Sequence, residues 1–528
     1  MNILLLAINA KYIHSNPAVY SLREYADRVY PGATSILECT INQNFHYILS
    51  EICERKPRAI GISTYIWNIG IVRRLLTELP KVLPETDIWL GGPEVSYDYD
   101  ILLSEFPHLR GVIVGEGESA FTLIVGEYVR AHGINEEDDG RSYKPDFSSI
   151  PNVALQERPS VIEHILTDMD SLPFIYEEGT DTFKNRIMYY ESSRGCPYRC
   201  SYCLSSLDKT IRYRSLPLVF RDLDFFLDSK VPQVKFLDRT FNSNKERTMA
   251  ILNYIHEHDN GITNFHFEIT AELLDIDEID LLRKMRPGQI QLEIGIQTTN
   301  QDTLLAISRP SKIHKITKVV QDLGKEHNLH LHLDLIAGLP YEGFRSFRNS
   351  FNDVYNMNPT QLQLGFLKVL KGTPISKDCG KFGILYEDSA PYEVLSTRWL
   401  RFDEICHLKR MEEMVELYYN THQFETTLPL LLRAFDTPFD LFSALASYYK
   451  EKDYFTVTPA RSRRYEIILE FVEEKTTMYE EEIREALTLD YFLRENPKSR
   501  PNFVKNPPSK EIFDYDRRDP LTGNYLLK

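Results

Sequence analysis

Apolar positions in the first 135 residues fall into short runs separated by amphipathic stretches. The runs Ile3–Ile8, Ser35–Thr40, Ala59–Thr64, Asp87–Leu90 and Gly111–Val114 predict strands. Between them, Ala18–Val29, Tyr47–Glu54 and Ile71–Val82 carry the 3.6-residue spacing of half-buried helices. Such alternation predicts a parallel sheet covered on both faces. It resumes near residue 186, with strands at Met188–Ser192, Gln233–Leu237, Phe265–Ile269, Gln291–Ile296, His330–Ile336 and Gln361–Phe366. Six strand–helix units make a partial barrel, whose reactive groups belong at the carboxyl ends of the strands. From residue 379 strand patterns mostly stop. Glu393–Lys409, Arg410–Tyr419, Leu428–Lys450 and Glu466–Lys475 read as amphipathic helices, and the charged, proline-rich tail from Pro501 reads as extended. The acidic, turn-rich Asn135–Ser142 reads as an exposed connection. Pro151–Leu155 and then Asp170–Pro173 read as a short strand followed by an extended strap that packs between domains. The expected division is therefore 1–135, a linker 136–185, a barrel 186–378 and a helical part 379–528.

Composition narrows the function classes. The 528 residues are 42% hydrophobic with a mean hydropathy of -0.33. No run reaches the roughly 18 apolar residues of a membrane span. Met1–Ile8 lacks a basic start and a small-residue cleavage site, so it reads as a first strand rather than a signal peptide. Lysine plus arginine number 61 against 77 acidic residues, a net charge of -16 that argues against nonspecific nucleic-acid binding. Arg461–Arg464 and Lys498–Lys510 are local basic runs. They read as solvated faces, with a grip on an anionic substrate or nucleic acid as the alternative. Cys39, Cys53, Cys379 and Cys406 are scattered without a disulfide pattern, which points to a reducing cytoplasm.

The other three cysteines stand together in Arg194-Gly195-Cys196-Pro197-Tyr198-Arg199-Cys200-Ser201-Tyr202-Cys203, spaced C-x3-C-x2-C. Crowded thiolates repel unless a cation neutralises them, and soft sulfur donors select iron–sulfur clusters, zinc or Cu(I). No fourth cysteine follows nearby. One reading is a zinc site completed by a distant side chain such as His266; the other is a four-iron cluster with one iron left open. In the first part, the ends of the strands, where open α/β sheets bind ligands, carry the loops Asn9–Pro17, Thr64–Asn68, Gly91–Glu94 and Gly115–Glu118. Gly91-Gly92-Pro93 lets backbone approach a ligand closely. There is no G-x-G-x-x-G after the first strand and no Walker A pattern, so dinucleotide binding is poorly supported.

The cysteine spacing, with Tyr202 before the last cysteine, resembles the radical S-adenosylmethionine (radical SAM) superfamily. The resemblance implies that Cys196, Cys200 and Cys203 hold a 4Fe-4S cluster whose open iron chelates SAM. Later strand ends are similar to those of relatives near the oxygen-independent coproporphyrinogen oxidases. By that likeness, Phe236–Phe241, with Asp238, meets the amino group of SAM. Glu272 of Ile269-Thr270-Ala271-Glu272 and Gln297 of Ile294-Gly295-Ile296-Gln297 meet the ribose. Arg309 pairs the SAM carboxylate, and Gly338 of Asp334–Pro340 lies against adenine. Leu367–Pro374 resembles the segment that closes the barrel. These residue types suit those tasks: a carboxylate accepts two hydroxyls, and an arginine pairs a carboxylate bidentately without losing its charge. Asp238 and Asp334 also fit plain strand-end caps.

The first part resembles the cobalamin-binding domain that precedes many radical SAM cores, which implies contacts from Thr64, Gly91, Gly92, Pro93, Gly115 and Glu116. One feature departs from the pattern. Cobalamin proteins that supply a histidine to cobalt carry Asp-x-His-x-x-Gly; here Tyr12-Ile13-His14-Ser15-Asn16-Pro17 keeps the histidine alone, and Tyr12 orients an imidazole less well than aspartate. His14 reads as a solvated or hydrogen-bonded loop residue, with the lower cobalt ligand as the alternative. The C-terminal part resembles the uncharacterised tail domain of some cobalamin-type radical SAM proteins, which implies no function.

Taken together, the resemblance implies an α/β chain with a Rossmann-like cobalamin-binding domain, a central radical SAM partial (β/α)6 TIM barrel and a mostly helical C-terminal domain. It implies a cobalamin-dependent radical SAM methyltransferase acting on an unactivated carbon through a 5'-deoxyadenosyl radical. The cofactors would be a 4Fe-4S cluster, SAM and cobalamin. The partners would be a small-molecule or peptide substrate and a reductase, flavodoxin or ferredoxin as electron donor. Two enzymatic alternatives stay open: rearrangement or cyclisation without methylation, and a radical SAM enzyme whose first domain is only a binding module. A tRNA-modifying role would add a basic RNA-binding domain or a second cluster, and neither is evident.

Overall fold

β1 (Ile3–Asn9) turns Ile3, Leu5 and Ala7 to one side and Leu4, Leu6 and Ile8 to the other, and all six are buried. A strand buried on both faces needs helices on both. The next elements supply them: α1 (Pro17–Asp27), β2 (Thr34–Thr40), α2 (Phe45–Arg55), β3 (Ala59–Ser63), α3 (Ile69–Val82), β4 (Asp87–Gly91), α4 (Tyr99–Glu105), β5 (Leu109–Ile113) and α5 (Glu118–His132). The sheet order is β2-β1-β3-β4-β5-β6, with β6 (Val153–Leu155) antiparallel to β5 and the rest parallel. This first domain therefore takes its last strand from beyond residue 135. The computed structural model describes residues 2–132, 144–177, 179, 181–208, 210–476, 478–496 and 501–528. The expected connection Asn135–Ser142 and the start of the basic run, Lys498–Arg500, lie outside the described residues.

The second sheet begins with β7 (Met188–Tyr190). β8 (Ser193–Arg194) and β9 (Arg212–Tyr213) pair antiparallel and close the neck of the cysteine loop. Gly195 makes that neck possible: its φ is +94°, and a Cβ there would lie 2.1 Å from the Thr210 carbonyl oxygen. There follow α6 (Leu216–Asp228), β10 (Gln233–Phe236), α7 (Lys245–Glu257), β11 (Asn264–Ile269), α8 (Ile276–Leu282), β12 (Ile290–Gln297), α9 (Gln301–Ala306), α10 (Ile313–Leu323), β13 (His330–Ala337), α11 (Phe344–Tyr355) and β14 (Gln361–Phe366). The order β7-β10-β11-β12-β13-β14 is wholly parallel, the sequential winding expected of a six-unit partial barrel.

The C-terminal part corrects several boundaries. After the short α12 (Pro374–Lys377) and α13 (Cys379–Phe382), β15 (Leu385–Tyr386) and β16 (Val394–Ser396) form a small ribbon where a helix from Glu393 is expected. α14 (Phe402–Tyr418) then runs unbroken across the boundary placed at Lys409 and Arg410. The long pattern Leu428–Lys450 splits into α15 (Thr427–Leu431) and α16 (Pro438–Glu451). Pro438 cannot continue a helix from below, whereas Thr437 caps a new one. α17 (Arg461–Lys475) starts five residues before its expected first turn, and α18 (Glu480–Arg494) is an additional helix. The tail is not simply extended: β17 (Phe513–Arg518) and β18 (Tyr525–Leu527) pair as a hairpin, and Pro520 packs on Gly288 at the base of the barrel.

One hydrophobic cluster runs from the inner face of the first sheet through the barrel into the C-terminal helices; the outer face of the first sheet has its own. Among the described residues no helix is long and apolar enough to cross a membrane.

Candidate cofactor sites

The cysteine loop is tied down along its length. Ser201 N–H donates to the Ile307 carbonyl (2.9 Å), and Ile375 N–H donates to the Ser201 carbonyl (2.9 Å). Beneath it Asp238, at the end of β10, accepts from Ser192 N–H (2.9 Å), Ser192 Oγ (2.6 Å) and Ser193 Oγ (2.7 Å). Burial raises the Asp238 pKa in spite of these bonds. Its carboxylate is thus spent on fixing the strand that carries the cysteines, and it stands outside the cavity they surround.

That cavity, of about 200 Å³, is lined by Cys196, Cys200, Cys203, Tyr198, Tyr202, Arg239, Thr240, Glu268, Thr270, Glu293, Gly295, Gln297, Arg309 and Asp334, among others. A single zinc ion would draw its thiolates to about 2.3 Å from one point. Among the described residues no three such side chains converge in that way. His266, the distant zinc candidate, is instead bonded through Nε2 to Glu293 (3.0 Å). Three soft donors around a space match the needs of a cluster several ångströms across. Arg309 Nη1 donates to Cys200 Sγ (3.3 Å) and Nη2 to the Gly295 carbonyl (2.6 Å). Gln297 lies at a bulge with φ +71°, its amide folded over Gly295, where a Cβ would sit 2.3 Å from Nε2. Gly295 is therefore a cradle that any side chain would fill.

The remaining SAM candidates, Glu272 and Gly338, are not part of the cysteine cavity's lining. Glu272 lines an adjoining recess with Tyr198 and Arg309, and its Oε1 accepts from Lys312 N–H (2.5 Å). Gly338, with φ +90°, packs on Val394. Sequence reasoning missed Glu268 and Glu293. A signal existed: Glu268 on β11 keeps the parity of Thr270, the residue just past that strand, and Glu293 on β12 keeps the parity of Gln297.

A second cavity of about 540 Å³ lies between the first sheet and the barrel. Gly91, Gly92, Pro93, Ser96, Gly115, Glu116 and Gly117 contribute to its lining, with Ile3, Leu5, Gly61, Trp89, Phe121 and Ile124 from the sheet and its helices. Gly92 (φ +113°) passes so near Thr64 that a Cβ would lie 2.5 Å from its carbonyl oxygen. Thr64 itself is fully buried and donates its hydroxyl to the Ile62 carbonyl (3.2 Å), so it backs the loop instead of facing the cavity. His14 turns to the barrel, where Nδ1 lies 2.7 Å from Tyr189 Oη; burial lowers its pKa.

Charged residues of this loop set also join the domains. Glu116 pairs with Arg212 (2.7 Å), and Glu118 with Arg194 (2.5 Å), which also meets Glu191 (2.9 Å). Burial alone would raise the Glu118 pKa, but the Arg194 guanidinium wins and lowers it. Glu94 accepts from Tyr392 and pairs with Lys371 (3.0 Å), which also meets Asp98 (2.8 Å). No spacing in the sequence announces these pairs. The basic cluster Arg461–Arg464 is likewise spent internally: Arg463 on Glu466 and Glu470, Arg461 on Glu495, and Arg464 on Gln423.

Three family descriptions match the chain: "B12 binding domain" over residues 3–125, "Radical SAM superfamily" over 190–354 and "Protein of unknown function (DUF4080)" over 380–518. Among curated proteins, the cobalamin-dependent radical SAM methyltransferase TokK of Streptomyces tokunonensis is 23% identical over 61% of this chain and 48% of its own length. The chain thus spans about half the length of the curated relative it matches. Among solved structures, the radical SAM methyltransferase TsrM of Kitasatospora setae, with cobalamin and a [4Fe-4S] cluster bound, superposes with a TM-score of 0.58 at 17% identity, over 74% of this chain and 78% of TsrM. The cobalamin-dependent SAM radical enzyme OxsB with aqua-cobalamin gives 0.59 at 13% identity, over 93% of this chain and 79% of OxsB. These structural likenesses concern the fold.

Proposed function

We propose that this chain, which carries a B12-binding domain ahead of a radical SAM domain, is a cobalamin-dependent radical SAM methyltransferase acting on an unactivated carbon. The observation that carries the reading is the meeting of the two cavities: the interdomain cavity under the Gly91–Pro93 and Gly115–Glu118 loops and the cysteine cavity share Arg239 in their linings. A methyl carrier in one and a radical source in the other would face the same substrate, which is the positioning such chemistry needs.

Cys196, Cys200 and Cys203 would hold the cluster. Tyr202, Gln297, Arg309, Glu272 and Gly338 would surround SAM, with Asp238 acting from beneath as a brace for the cysteine loop. Gly91, Gly92, Pro93, Gly115 and Glu116 would border the corrin, with Thr64 supporting them from behind. When bound, the cluster supplies the electron that cleaves SAM, and the corrinoid supplies a transferable methyl group. Around these groups the protein's own residues orient and exclude. Arg309 donates to the Cys200 sulfur, an interaction that would tune the potential of a cluster held there. The apolar sheet face at Ile3, Leu5 and Phe121 keeps water from the depth of the interdomain cavity. TokK is a methyltransferase of this class by name, which supports methylation over rearrangement or cyclisation.

The test is anaerobic reconstitution with iron, sulfide and hydroxocobalamin, then desalting. Corrinoid absorption should persist together with that of the cluster; loss of the corrinoid would leave the first domain as a binding module only. In extracts given SAM and a low-potential reductant, a product heavier by one methyl group supports this reading, and an isomeric or dehydrogenated product favours rearrangement or cyclisation.

A further inference from the structure

Among the described residues four arginines line the two cavities, and three of them are occupied. Arg194 is held by Glu118 and Glu191. Arg214 is held by Asp222 (2.8 Å) and by the carbonyls of Met169 and Leu172. Arg309 is held by Cys200 and the Gly295 carbonyl. The fourth is Arg239, which lines both cavities. Its side chain is 54% exposed, and its nearest acidic partner, Glu268, stands 3.9 Å away. Among the described residues its guanidinium donates no hydrogen bond. Five N–H donors in a fixed fork, carrying a permanent charge, are thus presented at the junction of the two cavities.

Two neighbours hold it there. Asp238, the preceding residue, is locked to Ser192 and Ser193, and Thr240, the following one, reaches Cys196 Sγ (3.6 Å). The backbone under Arg239 is therefore as fixed as the cysteine loop. Across the gap, the β3–α3 loop presents Tyr65 stacked on Trp67, ring centroids 4.4 Å apart and nearly parallel. Tyr65 also lines the interdomain cavity and feels the Arg239 charge.

We propose that Arg239 receives an oxyanion of the substrate, a carboxylate or a phosphate, and that the substrate of this enzyme is accordingly an acid. A guanidinium without hydrogen bonds, part-way out of water, gains most from a bidentate, charge-assisted contact. The point at which it waits is the point a substrate must occupy to face both cavities, so the inference rests on the two-cofactor reading above. The charge would fix one end of the substrate and so choose which carbon lies between the sites.

The experiment compares reconstituted wild-type, R239Q and R239K proteins. Each is mixed with a small-molecule extract, desalted, and its retained compounds are identified by mass. Wild type should retain acids, R239Q should retain at least about tenfold less of them, and R239K should recover part of the loss. Methyl-esterified extract and phosphatase-treated extract separate the two sources of the oxyanion: whichever treatment abolishes retention names the group. Corrinoid absorption and the SAM-induced change in the cluster's EPR signal should be the same in wild type and R239Q. Retention of only neutral or cationic compounds, retention of nothing, or equal retention by R239Q would overturn the proposal. So would a changed corrinoid or SAM signal in R239Q, which would mean that Arg239 serves a cofactor. Failure of wild type to hold corrinoid or cluster would instead remove the two-cofactor reading itself.

Discussion

Arg194 directly precedes Gly195 and the first cysteine, and its side chain is only 15% exposed. It lies 2.5 Å from Glu118, 2.9 Å from Glu191 and 3.7 Å from Glu116. R194M keeps the length and apolar stem of the side chain but removes the charge. Glu116 retains Arg212 at 2.7 Å, whereas Glu118, left with hydrogen bonds such as that from Ser21 at 3.4 Å, and Glu191 both lose their cation in a poorly hydrated interface. Breaking one buried pair in this way costs about 3–5 kcal/mol. Because Glu116 keeps its partner, about 3 kcal/mol is the expected loss. The assay is urea unfolding of wild type, R194M, E118Q and the double variant. Coupling of about 1–3 kcal/mol is expected, because in E118Q the arginine has one acid fewer to hold. The pH dependence has a definite sign. Arg194 lowers the Glu118 pKa below its usual 4.5, so this pair stabilises the fold above that value and is lost as pH falls through the depressed folded value. The gap between wild type and R194M should therefore narrow in acid. A variant within about 0.5 kcal/mol of wild type, or strictly additive single losses, would refute the ionic account of the interface.

Three further outcomes follow. G92A puts a Cβ 2.5 Å from the Thr64 carbonyl at a φ of +113°, so it should weaken corrinoid retention in equilibrium dialysis at least about tenfold while circular dichroism is unchanged. C200A should lose the iron–sulfur absorption band after reconstitution; an unchanged band would remove Cys200 from the ligand set. Glu342 is fully buried against Thr298 Oγ1 (2.6 Å) and Ser350 Oγ (2.8 Å), and burial raises its pKa from 4.5 to about 7. The folded state then holds the proton longer than the unfolded one, so stability should fall as pH rises from about 4.5 to about 7. At 1.36 kcal/mol per tenfold step that is about 3 kcal/mol, and E342Q should flatten this part of the curve in denaturant titrations.

Most of the barrel was legible because its strands obey local rules. Six apolar runs, each bounded by turn residues, fell close to the observed strands, and the C-x3-C-x2-C spacing marked the loop around the cysteine cavity. The C-terminal part was harder to read. Pro438 and its cap Thr437 interrupt an otherwise continuous apolar pattern, and the helical stretch from Glu393 is captured by a strand pairing with Leu385 and Tyr386. Periodicity reports which face is buried but not which partner buries it.

The division at the candidate site follows the same logic. Donor chemistry is carried by residue type and spacing, so three thiols in one loop and a glycine-lined turn declare themselves in the sequence alone. Where a polar side chain spends its charge depends on groups far away in the chain: Asp238 on Ser192 and Ser193, Glu118 on Arg194, His14 on Tyr189, while Arg239 stands 3.9 Å from Glu268. Electrostatic and hydrogen-bond partners are chosen by distance in space, and only the packed domains bring those groups within a few ångströms of one another.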